Sequence, residues 1–144
     1  GERVSNFHPR RAARKVVLEA LFAHQFTCDN PRKTLEKVIK TNQLKDDNID
    51  FMDKLFHCVI ENSDFSEKLI KSHLQNWELG RVAQVDRLLL RMGICEIFFM
   101  ESIPPKVSIN EMVEISKIYS TDESPGFING VLDAIYKENN VKED

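Results

Sequence analysis

Arg10, Arg11, Arg14 and Lys15 crowd into six positions near the start of the chain, in the stretch "RRAARK". A guanidinium is a planar fork of N–H donors that matches the oxygens of a phosphate, so several forks on one helix can grip a polyanion. Phe22 follows in the same stretch, and a ring beside such cations can stack on a base. The chemistry on offer is recognition rather than bond-making. Motifs for bond-making are missing: there is no Gly-rich phosphate loop, HExxH, Cys₂His₂ spacing or GxSxG. His8, His24, His57 and His73 are scattered, and His57 and Cys58, as neighbours on a helix, point to different faces. No catalytic residue, metal ligand or cofactor is therefore expected. The acidic pairs Asp46/Asp47 and Asp122/Glu123 fall in linkers and read first as helix caps. Trp77 reads as an anchor for a helix end.

Charge sharpens the question. The chain has 144 residues and a formal net charge of −3, yet residues 1–25 carry five Lys/Arg against two acids, and the rest is acidic. A protein that binds nucleic acid through bulk charge is basic throughout. A polyanion site here must be local and assisted by a partner. The length fits one domain, 1–144. Cys28, Cys58 and Cys95 are odd in number and far apart, and no signal peptide is evident, which points to a reducing cytosol and a cytoplasmic protein. The stretch "LLLRMGICEIFFM" is interrupted by Arg91 and Glu96 and is too short to span a bilayer, so no membrane association is expected.

The elements that must position these residues read as seven helices and no strand. Pro9, at a first-turn position, opens a helix to about Thr27. Asn30 as N-cap and Pro31 at the first helical position open a second to about Thr41. A third covers Ile49–Asn62. A fourth is opened by the cap-like pair Asp64 and Glu67 and runs to about Asn76. The fifth runs from Val82 to Glu101, stopped by Pro104 and Pro105. It is apolar on nearly its whole circumference, as a helix surrounded by others would be. Ser108 and Glu111 form a capping box near the start of the sixth, which ends at Tyr119, and the seventh covers Ser124–Asn139. The fold class is all-α.

Projected at the helical pitch, Ala12, Ala13, Val16, Val17, Ala20 and Ala23 share one arc of the first helix, a core stripe. Arg10, Arg11, Arg14 and Lys15 take the opposite arc, with Leu18 and Phe22 inside it. Two readings remain open. The arginines are a solvated face with Leu18 and Phe22 packed on another helix, or they form a phosphate site with Phe22 as a stacking ring. Cations in the first turns oppose the helix macrodipole, which favours the second reading by a few tenths of a kcal/mol per charge.

The segment "RRAARKVVLEALFAHQF" resembles the N-terminal arginine-rich motif of the NusB family of bacterial transcription antitermination factors. "IPPKVSINEMVEISKIYSTDESPGFINGVLD" is similar to that family's C-terminal signature, and "VAQVDRLLLRMGICEI" to its central helix. The resemblance covers nearly the whole chain and is weakest over residues 29–75. It implies two small helical bundles packed together and no catalysis. It further implies binding of the boxA RNA of ribosomal operons together with NusE, the ribosomal protein that doubles as a transcription factor, within an RNA polymerase complex that resists termination.

Carried over by position, Arg10, Arg11 and Arg14 match the RNA-contacting arginines, with Lys15 beside them. Phe22 matches a position that is commonly tyrosine. Asp86 matches an acidic position near the RNA and partner surface, and Asp122 and Glu123 an acidic stretch near RNA. Leu18, Phe22 and Asp86 are the candidate partner contacts. Ala12 departs from a third consecutive arginine of some members. Among the signature residues, Gly130 is expected to let two helices approach, Asn129 to hold a buried hydrogen bond, and Phe127, Val131 and Leu132 to face the core. Two alternatives stay beside this reading. One is a protein–protein adaptor or homodimer whose RNA face is covered; the other is the RNA-docking domain of a ribosomal RNA methyltransferase. The second is disfavoured because the chain ends at Asp144 without a cofactor-binding domain.

Overall fold

Seven α-helices and no strand occur among the described residues, which are 9–42, 48–74 and 82–139 of a computed structural model. The helices are α1 (Pro9–His24), α2 (Pro31–Asn42), α3 (Ile49–Glu61), α4 (Ser63–Ser72), α5 (Gln84–Phe99), α6 (Pro105–Tyr119) and α7 (Ser124–Asn139). His8, Asp46, Asp47 and Trp77 lie outside the described residues. The chain divides into two compact units, Gly1–His57 and Cys58–Asp144.

In the first unit, α1 and α2 pack together. Asn30 caps α2, its Oδ1 accepting from the Arg32 backbone N–H at 2.8 Å. The buried face of α1 is turned from the expected stripe. Ala13, Val16, Val17 and Ala20 are buried, but so are Leu18, Leu21 and Arg14, while Ala12 is exposed and Ala23 half-buried. The two leucines decide the rotation, because each removes far more apolar area from water than an alanine. Leu18 therefore belongs to the core, as in the reading that packs it on another helix, and is not an exposed partner contact.

In the second unit, α4, α6 and α7 all pack on α5, and α6 packs on α7. The all-round apolar α5 is buried from Leu88 to Leu90 and from Met92 to Ile97. Gly93 is what lets α7 come close: a Cβ at this position would lie 2.6 Å from Leu132 Cδ1, inside any permitted contact. Gly130, the expected close-approach glycine, is exposed, and a Cβ there would meet nothing within 4 Å. Asn129 is likewise exposed rather than buried. Val131 and Leu132 face the core as expected, and Phe127 is half-buried.

Neither proposed capping box forms. Pro104 holds the N-cap position of α6. Ser108 lies inside the helix and donates its hydroxyl to Glu96 Oε1 at 2.6 Å, with both side chains buried, and Glu111 is buried as well. At α4 the N-cap residue is Asn62, which makes no side-chain cap bond. Glu67 turns away to α5, accepting from Arg87 at 2.9 Å and Arg91 at 2.7 Å. In each, one member of a polar pair at capping spacing is recruited by a neighbouring helix. Cys58 and Cys95, distant in sequence, meet within this unit. Interaction with Cys58, reinforced by burial, pushes the Cys95 thiol pKa up, and the same interaction lowers that of Cys58.

Candidate nucleic-acid interface

The arginine cluster of α1 splits into two sets. Arg10 and Arg14, one helical turn apart, both lie over the ring of Phe51 on α3, with guanidinium carbons 4.8 and 5.1 Å from its centroid. Both distances are within cation–π range. Arg14 is only 3 % exposed. It is thus a packed residue, neither solvated nor open to a phosphate as the two readings of the arc had it, whereas Arg10 remains exposed. A buried guanidinium needs such company, because leaving it uncompensated in the interior is costly. Phe51 was not singled out from the sequence, since in "IDFMDKLF" it is indistinguishable from any core ring.

The second set looks outward. At 100° per residue, Arg11, Lys15 and Phe22 fall within a sector of about 40°, on the side of α1 away from its buried face. Arg11 and Lys15 are half-buried, and Phe22 is 41 % exposed. Glu19 also borders this face, and its carboxylate accepts from Asn42 Nδ2 of α2 at 3.3 Å. A row of cations ending in an open ring can take phosphates along its length and a base at its end.

The acidic candidates belong to the second unit. Asp86 is buried near the N-terminus of α5, where the macrodipole favours a negative charge. Its two carboxylate oxygens accept from Ser120 Oγ at 2.7 Å and Ser124 Oγ at 2.8 Å, tying the end of α6 and the start of α7 to α5. Thr121 Oγ1 completes the network at 3.0 Å from Ser124 Oγ. Asp122 and Glu123 are exposed in the turn before α7. A cavity of about 440 Å³ is lined by Val82, Ala83, Asp86, Thr121, Glu123, Ser124 and Phe127. The structure thus brings Asp86 and Glu123 to one cavity. Of the three expected partner contacts, Leu18 is in the core and Asp86 is enclosed, so Phe22 alone presents a substantial open face. No cluster of His, Cys, Asp and Glu that could hold a metal occurs among the described residues. None of the described helices is long and apolar enough to cross a membrane.

The family model described as "NusB family" matches residues 11–137. The chain belongs to the NusB family. A transcription antitermination protein NusB from Chloroherpeton thalassium is 39 % identical over 130 residues, which span 90 % of this chain and 62 % of that protein. Among solved structures, T. maritima NusB is 35 % identical with a TM-score of 0.82, covering 90 % of this chain and 91 % of that one. A chain from a complex of the antitermination factors NusB and NusE with double-stranded RNA is 27 % identical with a TM-score of 0.81, covering 90 % and 97 %. The all-α NusB fold is accordingly that of this chain, with seven helices among its described residues, and the family is a non-enzymatic one.

Proposed function

We propose that this protein is an RNA-binding transcription antitermination factor that takes boxA-type RNA of ribosomal operons together with NusE and so enters the RNA polymerase complex. The observation that carries the reading is the arrangement of α1. Arg10 rests on the Phe51 ring, and Arg11, Lys15 and Phe22 line the outward sector. Arg10, Arg11 and Lys15 take phosphate oxygens. Arg14, packed on the same ring, shapes the site from beneath. Phe22 offers a flat face to a base, without the hydroxyl of the tyrosine common in the family. On the other unit, Asp122 and Glu123 are exposed carboxylates that can accept from base amino groups. The known complex of NusB and NusE with RNA, formed by a relative of the same fold, supports the choice of partners.

The test is a fluorescence-anisotropy titration of boxA-type RNA with and without NusE. Binding tightens when NusE is present, because a basic ribosomal protein adds phosphate contacts that an acidic chain lacks. Arg10→Ala with Arg11→Ala weakens binding at least tenfold at low salt, and unchanged affinity in that variant overturns the arginine assignment. Arg14 is left intact because its burial would confound binding with folding.

A further inference from the structure

Phe26 is the most exposed large apolar side chain among the described residues, at 72 %. It follows the end of α1 in a tight turn, where its backbone N–H donates to the Ala23 carbonyl at 3.0 Å. That turn carries its ring back beside Phe22, with centroids 5.2 Å apart and planes inclined by 60°. Through that ring contact Phe26 adjoins the sector of Arg11, Lys15 and Phe22 at the end of α1. From Arg11 to Phe22 the row is about 16 Å long at 1.5 Å per residue, and the Phe26 ring stands at its end beside Phe22.

From this row we infer a second base-stacking position at Phe26, which extends the RNA track beyond Phe22; the inference rests on the RNA-binding reading of α1. The two rings are tilted, not parallel, so they do not satisfy each other face to face. Each keeps a π-face for an incoming base. The occupant the observations favour is single-stranded RNA. Cations lead to the rings along one face, and aromatic steps following a cationic track are how unpaired bases are held without hydrogen-bond readout. A duplex keeps its bases stacked on each other, so it cannot use these rings. Glu19 borders the track, where it disfavours a close phosphate and leaves the contacts there to base or sugar.

The test compares the intact protein, Phe26→Ala, Phe26→Trp and the Arg10→Ala, Arg11→Ala variant. Each is titrated with a single-stranded boxA-type oligoribonucleotide and with the same sequence annealed to its complement. Phe26→Ala weakens single-strand binding about tenfold and leaves the duplex affinity and the salt slope unchanged. Phe26→Trp restores or tightens single-strand binding. Because the ring is exposed, melting temperatures of the Phe26 variants match that of the parent. If the arginine variant loses affinity while Phe26→Ala does not, the stacking position is wrong and the RNA reading stands. If the intact protein binds neither RNA, both fail. If Phe26→Ala weakens NusE binding or self-association in sedimentation while RNA affinity holds, the ring is a protein contact and the inference is overturned.

Discussion

Arg14 shows how much one ring can redirect a charged side chain. It has the composition of a phosphate ligand but lies buried over Phe51, sharing the ring with Arg10. Phe51→Leu keeps an apolar side chain at that position but removes the π-face. We expect it to lower unfolding free energy by about 1–2 kcal/mol in urea denaturation. We also expect RNA affinity to fall although Phe51 itself touches no RNA, because Arg10 loses its rest. The arginine cluster was legible as a feature of the sequence, since its residue types and clustering fit one kind of chemistry. Which arginines face outward was not legible. That depended on Leu18 and Leu21 outweighing the alanines and on a ring supplied by another helix. Phe26 was hidden for a related reason: at the end of a helix, an exposed ring and a buried one look alike in sequence.

At the scale of elements, the seven helices among the described residues and most of their boundaries followed from proline placement and apolar periodicity. Both act locally. The two expected capping boxes failed because Ser108 and Glu67 are used across helices, and a spacing rule within one helix cannot detect a partner on the next. The expectation for Gly130 failed in the same way. Gly93 sits against Leu132, whereas Gly130 sits in open space. Opposite outcomes follow for the same substitution. Gly93→Ala forces its methyl group onto a fully buried leucine and destabilises by about 1–3 kcal/mol. Gly130→Ala relieves a helical glycine without a clash and stabilises by up to about 1 kcal/mol. Thermal unfolding of the two single variants separates them, and a loss of stability in Gly130→Ala would contradict the geometry.

For the molecule as a whole, the isoelectric point near 5.8 sits uneasily with RNA binding until the charge is resolved by region. A few cations on one helix face give a shallow electrostatic response. If Arg10, Arg11 and Lys15 each neutralise one phosphate, the logarithm of the binding constant falls with the logarithm of salt with a slope of about −2 for single-stranded RNA. A titration series in potassium chloride without NusE measures it, and a slope several times steeper would mean a wider contact than α1 offers. The Phe51 ring also bears on lifetime. An unconstrained arginine has about 2 kcal/mol of rotamer freedom to lose on ligand capture. A guanidinium already resting on a ring has surrendered part of it during folding. Less disorder is then left to remove when a phosphate arrives, and restraint of this kind acts mainly by slowing departure, not by hastening encounter. If Arg10 takes a phosphate as proposed, the ring beneath it acts as a timer: it prolongs each bound episode without contributing an atom to the contact.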